Sequence, residues 1–196
     1  MHKTRGRPKA FDENEALALA MNYFWEHGYT NASLDNLLIA MGIKKSSFYH
    51  TFRSKEKLFS RCLGLYRREM LSQLTMLKKD IGPKETLLML THMTIKELRE
   101  TGKVKGCLLI NSGQECYNKY NDLSHQIKIE FSFMQELFEG FIEEAQEIKE
   151  IKSKKEAKIL SGRYINSLNG LIVTIQAGAS DELIDDIVES LQEILE

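Results

Sequence analysis

The apolar positions of this chain recur at helical spacing. Leu34, Leu37, Leu38 and Met41 follow an i, i+3, i+4, i+7 pattern, and similar patterns continue along the sequence. Alternation of apolar and polar residues with a period of two, which would indicate strands, is nearly absent. The pattern therefore predicts an all-α protein.

Local start and stop signals divide this pattern into nine helices. Asp12, Ser33 and Ser54 stand where N-caps are expected, and Gly28 and Gly42 end the first two helices. A short third helix follows within a few residues of Gly42. The remaining helices are expected at about 54–79, 84–100, 107–118, 122–149, 154–178 and 181–195.

The segment after Gly42 has the pattern of a helix-turn-helix within a three-helix, homeodomain-like head. Phe48 and Phe52 are spaced i, i+4 and face inward, whereas the outer face carries polar donors. These donors are Lys44, Lys45, Ser46, Ser47, Tyr49 and His50. A short helix that projects from a three-helix core fits the major groove of B-DNA, which is about 12 Å wide. This interpretation is weighed against a solvated helical hairpin with no ligand.

The distribution of charge favours DNA as the ligand. Residues 1–68 contain 12 Lys and Arg against 6 Asp and Glu, a net charge of +6, whereas residues 69–196 carry −7. A basic head on an acidic body is expected when only the head meets a polyanion. No apolar run is long enough for a membrane span, and the basic N-terminus lacks a signal peptide's apolar core. Together with three widely spaced cysteines, these features predict a cytoplasmic protein.

Further contacts are expected beside the third helix. Ser33 and Lys55 stand at the N-termini of the second and fourth helices, where free N–H groups attract phosphate. Arg5 and Arg7 in "RGRP" could enter a narrow minor groove, or belong to a basic tail with only nonspecific attraction.

The stretch "HGYTNASLDNLLIAMGIKKSSFYHTFRSKEKLF", residues 27–59, resembles the N-terminal domain of the TetR family of bacterial transcriptional regulators. The resemblance implies a DNA-binding domain at 1–55 and a helical effector-binding and dimerisation domain at 56–196. Lys44 and Ser46 differ from the residues usual in the family. The residues expected to contact DNA are Thr30, Ser33, Lys44, Lys45, Ser46, Ser47, Tyr49, His50, Lys55, Arg5 and Arg7.

The resemblance also implies a homodimer built from the last two helices. Their broad apolar faces and small residues allow close helix packing, although both helices could instead bury these faces within one subunit. The residues expected at the dimer interface are Leu168, Ile172, Ile175, Leu183, Ile187 and Leu191.

An effector pocket is expected among the fourth to seventh helices. Its candidate residues are Tyr66, Met70, Leu74, Met89, Met93, Cys107, Asn111, Phe131, Met134 and Phe138. A small, largely apolar molecule would suit this set, with polar groups such as Asn111 orienting it. The same methionines and aromatics could simply form core, and the polar groups could bridge helices.

Chemistry beyond binding is not indicated. The histidines form no metal-binding pair, no catalytic constellation is present, and no cofactor is predicted. Cys107 and Cys116 are either a thiol switch or small buried apolar residues. The expected function is a ligand-responsive repressor that binds a palindromic operator as a homodimer and is not an enzyme. The alternative is a DNA-bound adaptor whose C-terminal domain recruits a protein and holds no small molecule.

Overall fold

The computed structural model describes residues 11–196, and these residues form nine α-helices and no strand. The helices are α1 (Glu13–His27), α2 (Leu34–Met41), α3 (Lys45–Thr51), α4 (Lys55–Ile81), α5 (Pro83–Thr101), α6 (Leu108–Cys116), α7 (Asn121–Glu147), α8 (Ala157–Gln176) and α9 (Asp181–Ile194). The predicted all-α fold is confirmed. None of the described helices is both long and apolar enough to cross a membrane.

The described residues divide into two compact units, with the boundary between Leu65 and Tyr66. The first contains α1, α2, α3 and the start of α4, and the second contains the rest of α4 and the five following helices. The domain boundary expected between residues 55 and 56 falls in the first turn of α4. The assignment of DNA binding to residues 1–55 and of effector binding to residues 56–196 stays a prediction.

An aromatic cluster holds the first unit together. Phe24 of α1 contacts Phe59 of α4 edge-on, with ring centroids 4.8 Å apart, and Tyr29 lies 4.9 Å from Phe59. Phe48 and Phe52 of α3 are fully buried, with their centroids 5.9 Å apart. The i, i+4 pair thus faces inward as the sequence predicts, and α3 is anchored by one side only.

Gly42 makes the turn between α2 and α3 possible. Its φ of 64° and ψ of 28° lie in the left-handed region, and its N–H reaches back to the carbonyls of Leu38 and Ile39. This conformation is costly for residues with a Cβ, whatever space surrounds them.

Replacing Gly42 by Ala should therefore destabilise the protein by about 1–2 kcal/mol, measured by denaturant unfolding. A Cβ at this position would meet no atom within 4 Å, so the loss would be conformational. Gly140→Ala in α7 is a suitable control, because the space there is equally open and the backbone helical. That variant should be stabilised by about 0.5–1 kcal/mol. Equal effects of the two substitutions would contradict the assignment of strain to Gly42.

The second unit buries a polar link between α5 and α8. Tyr164 is fully buried and donates its hydroxyl proton to the Leu87 carbonyl. Burial raises the pKa of the Tyr164 hydroxyl above its ordinary value, so this group stays a donor. Phe138 of α7 packs edge-on against the same ring at 5.9 Å. These contacts join three helices around one phenol.

Several helix ends differ from the predicted bounds because of local contacts. α7 ends at Glu147 since Lys149 adopts a φ of 65°. α8 begins at Ala157 rather than near 154, because the Gln146 side chain donates to the carbonyls of Ser153 and Lys155. These contacts hold 153–155 outside the helix.

Three residues expected at a dimer interface are buried within the second unit. Ile172 and Ile175 of α8 are 7% and 8% exposed, and Leu191 of α9 is fully buried. They pack inward because α8 and α9 bury these faces within the same unit. Leu183 is exposed, and Leu168 and Ile187 are half-buried. The part of all six residues in a dimer interface stays a prediction.

Candidate nucleic-acid interface and effector region

Helix α3 presents a polar face opposite its buried one. Lys44 is its N-cap, and Lys45, Ser46, Tyr49 and His50 are exposed, whereas Phe48 between them is fully buried. Tyr49 stands edge-on to Phe48 at 5.4 Å, which orients the phenol without burying it. The face therefore offers two ammonium groups and several hydrogen-bonding side chains to one ligand.

The other candidate residues also lie in the first unit. Thr30 and Ser33 are exposed, and Ser47 and Lys55 are half-buried. Ser33 Oγ accepts a hydrogen bond from the Asn36 N–H at 3.2 Å and so begins α2 as predicted. Arg5 and Arg7 lie outside the described residues. The structure brings the described candidates into one unit, and their contact with DNA stays a prediction.

Lys55 is positioned by an aromatic ring. Its ammonium lies 4.5 Å from the centroid of Tyr29, a residue that is only 7% exposed. A cation–π contact of this kind restrains a side chain that would otherwise be freely mobile. Ser54 begins the same helix, since its Oγ accepts from the Lys57 N–H at 3.1 Å. The N-terminus of α4 is thus a defined cationic position.

Sequence reasoning missed Arg53 and Lys57 as candidate contacts. Arg53 lies in the turn between α3 and α4, with a φ of 70°, and its side chain is exposed. Lys57 is exposed in the first turn of α4. The signal was present in "FRSKEK", where three cations occur within five residues. Positive φ at a non-glycine residue is uncommon and marks a constrained turn.

Arg61 fixes α4 against α1 and α3 rather than facing a ligand. Its guanidinium donates to the Glu13 carboxylate at 2.7 Å and lies 4.9 Å from the Phe52 ring centroid. Phe52 is the C-cap of α3. Arg61 of α4 therefore links the end of α3 to both α1 and α4. These two contacts of Arg61 help to hold α3, a helix of only seven residues, in place.

The candidate effector residues are only partly brought together. Leu74, Met134 and Phe138 are 4–5% exposed and belong to the core of the second unit. Met93 is 56% exposed on α5, and its place in a pocket stays a prediction. The other members are half-buried: Tyr66, Met70, Met89, Cys107, Asn111 and Phe131. Asn111 donates to the Lys105 carbonyl at 2.9 Å, which makes it a bridge within the α5–α6 connection.

Tyr66 and Cys107 do meet. The Tyr66 hydroxyl donates to Cys107 Sγ at 3.4 Å, and burial together with this thiol raises the pKa of the Tyr66 hydroxyl. Cys62 and Cys116 are fully buried, and burial raises the pKa of the Cys62 thiol well above its ordinary value. Since the thiolate is the reactive form, we expect Cys62 to react slowly in the folded protein.

Alkylation of the native protein with iodoacetamide should therefore modify Cys107 before Cys62 and Cys116. The rate per cysteine can be measured by mass spectrometry of timed digests. In Cys107→Ser, native-state labelling should fall to a small fraction of the wild-type rate, while denatured protein still labels at the two remaining thiols. Labelling of Cys62 or Cys116 as fast as Cys107 would contradict the exposures given above.

A buried ion pair in the second unit had no sequence signal. The Glu130 carboxylate is 4% exposed, accepts from the Gln126 side chain at 2.7 Å, and lies 3.3 Å from Arg67 Nε. The Arg67 guanidinium also lies 4.5 Å from the Phe133 ring centroid. The ion pair of Arg67 and Glu130 links α4 to α7, and Arg67 directly follows Tyr66 in the sequence.

A surface groove of about 590 Å³ lies between α6 and α7 and is here called the α6–α7 groove. Its lining includes Leu109, Ile110 and Gly113 of α6 and Ile127, Lys128 and Phe131 of α7. Of the ten residues predicted for the effector pocket, Phe131 alone lines this groove. The groove was not evident from the sequence, because it depends on how two helices approach each other.

Residues 16–62 match the family model described as bacterial regulatory proteins, tetR family. The chain is 27% identical to the HTH-type transcriptional repressor ComR of Escherichia coli over 183 residues, 92% of this chain and 87% of ComR. It also resembles a cysteine mutant of the TetR family transcriptional regulator CifR, solved in complex with 26-base-pair operator DNA. That likeness has a TM-score of 0.80 at 25% identity and covers 97% of this chain and 100% of the other.

The reduced form of Escherichia coli NemR shares the fold, with a TM-score of 0.82 at 20% identity over 93% of this chain and 96% of NemR. The matched segment 16–62 spans the entire helix-turn-helix, and the likeness to these regulators continues through the second unit. Residues 16–62 therefore match the DNA-binding segment of the tetR family of bacterial regulatory proteins, and the chain as a whole resembles transcriptional regulators of that family.

Proposed function

We propose that the protein is a homodimeric repressor that binds a palindromic operator through α3 and is released by a largely apolar small molecule. The observation that carries the proposal is the two-sided character of α3. Phe48 and Phe52 are buried in the core of the first unit and anchor the helix. Lys44, Lys45 and Tyr49 are exposed on its opposite side. As a bacterial DNA-binding regulator, it would act in the cytoplasm.

The contacts divide by chemistry. Lys44, Lys45 and Ser46 at the start of α3 are suited to base edges and adjacent phosphates, whereas Tyr49 and Lys55 are suited to backbone phosphates. Arg53 and Lys57 extend the cationic surface beyond α3. Ser33 and Thr30 lie near the start of α2, where backbone N–H groups attract an anion.

The relatives support repression and operator binding for this chain. ComR is named a transcriptional repressor, and CifR is bound to operator DNA in its solved complex. The α6–α7 groove exceeds the roughly 300 Å³ at the lower end of small-molecule sites, which supports an effector over an adaptor that holds none.

Selection of bound fragments from the source genome, followed by footprinting, tests the proposal. We expect an enriched palindrome whose half-site centres lie about 10–10.5 base pairs apart or at a multiple of this spacing. Sedimentation should show an even number of subunits on each site, and a reporter placed behind the site should be silenced. Failure to enrich any sequence, or binding as a single copy, would count against the proposal.

A further inference from the structure

We propose that the α6–α7 groove binds an amphipathic organic anion, a carboxylate carried on an unbranched apolar chain. The interior of the groove is apolar. Leu109 and Ile127 are 3% and 7% exposed, and Ile110 and Phe131 are half-buried beside them. A concave lining of mostly apolar side chains is typical of small-molecule sites.

Gly113 explains why the groove is open. It lies on α6 among the lining residues, and a Cβ placed there would contact Ile127 Cγ2 at 3.6 Å, an ordinary van der Waals distance. A larger side chain at position 113 would therefore extend into the space between α6 and α7. The missing side chain is what leaves volume for a ligand.

The polar groups of the groove select an anion. Lys128 and His125 of α7 both line it and are exposed, and neither Asp nor Glu is among its lining residues. Within residues 11–196, the structure records no ion pair between either side chain and a carboxylate. Lys128 supplies a positive charge, and His125 supplies a hydrogen bond, at the edge of an otherwise apolar groove.

The length of the groove suggests the size of the apolar chain. Its lining extends from Leu109 of α6 to Tyr117, the residue that follows this helix, and these eight residue-to-residue steps correspond to about 12 Å along a helix axis. An extended ten-carbon chain has a similar length. A volume of about 590 Å³ accommodates such a chain together with its head group.

Binding in the groove does not depend on the proposed function, although its regulatory meaning rests on it. A ligand that binds but leaves operator affinity unchanged would count against effector release, not against the groove. Titration calorimetry and operator gel shifts should therefore be carried out on the same preparation of full-length protein.

The probes are decanoate, 1-decanol and decyltrimethylammonium, all below their micellar concentrations. We expect decanoate to bind at least tenfold more tightly than the alcohol, and the cation to bind weakest. Octanoate should bind roughly tenfold or more weakly than decanoate, since two methylenes are left out of the groove. Equal affinity for decanoate and decanol would overturn the assignment of an anionic ligand.

Two variants locate the site. Lys128→Glu should lower decanoate affinity at least tenfold and raise affinity for the cation, whereas Lys119→Glu, an exposed lysine outside the lining, should change neither. Gly113→Leu should abolish binding of all three probes by filling the groove. Gly113→Ala places the smallest side chain there without a clash and controls for loss of folding, retaining weakened binding.

A second copy of the chain is the competing occupant. If Gly113→Leu converts the protein to monomers and wild type binds no probe, the groove is a subunit interface and the proposal is overturned. Decanoate affinity unchanged in both Lys128→Glu and Gly113→Leu would overturn it as well, because the ligand would then lie elsewhere. Loss of binding in both variants with an unchanged oligomeric state supports it.

Discussion

Replacing Phe48 by Ala is expected to unfold the DNA-binding head at growth temperature. The side chain is fully buried in α3 and contacts Phe52, so truncation leaves a cavity in a head of only about fifty residues. Phe→Ala substitutions in cores cost about 3–5 kcal/mol, a large part of the stability of so small a unit. Thermal unfolding followed by circular dichroism should show an early transition that wild type lacks.

Tyr49→Ala is the matched control, one position further along α3. Tyr49 is 47% exposed and its ring touches Phe48 only edge-on, so the substitution should cost about 1 kcal/mol or less. It should nevertheless weaken operator binding, because the phenol belongs to the proposed DNA-facing side. Wild-type operator affinity in Tyr49→Ala would contradict the assigned orientation of α3. Wild-type stability in Phe48→Ala would contradict its role as an anchor.

Reversing the charge of Lys44 and Lys45 together is expected to abolish operator binding while leaving the fold intact. Both side chains are exposed at the start of α3, so the substitutions disturb little packing. Removing two lysines that bind DNA, at about 1–3 kcal/mol each, and adding two carboxylates near phosphates should weaken binding roughly 100-fold or more. In Lys44→Ala and Lys45→Ala, the slope of log affinity against log salt should fall by about 0.9 for each phosphate that is no longer neutralised. Gel shifts at several salt concentrations measure both quantities.

Lys154→Glu combined with Lys155→Glu controls for net charge. These lysines are likewise adjacent and exposed, but they lie between α7 and α8 in the second unit. Their reversal changes the total charge by the same amount and should alter operator affinity less than threefold. Equal losses of affinity in the two double variants would mean that net charge, not the α3 surface, governs binding.

The helices of this protein were predictable because their signals are local. Asp12 accepts from the Asn14 and Glu15 N–H groups, and Ser33 and Ser54 each accept from an N–H three residues later. Contacts that close within four residues can be read directly from neighbouring letters of the sequence. The burial of Phe48 and Phe52 was predictable for the same reason, because residues at i and i+4 lie on one face of a helix and that face turns toward the core.

Long-range packing decided which face of the later helices meets another helix. α9 has an apolar face broad enough to be shared, and the sequence does not indicate that Leu191 is buried inside while Leu183 is exposed. Met93 belongs to a methionine-rich stripe of α5 that extends beyond what its neighbours cover. Periodicity identifies an apolar face, but the partner that covers it is set by residues far away in the chain.

The sequence by itself determined the all-α fold, the helix-turn-helix and the cationic outer face of α3, since each follows from residues within a few positions of one another. The tertiary structure alone decided that Glu130 is buried against Arg67, that Tyr66 meets Cys107, and that Gly113 and Ile127 line one groove. Each of these features joins residues 14 to 63 positions apart, or depends on the distance between two helix axes. That distance is a property of the whole packed unit and is not encoded in any single segment.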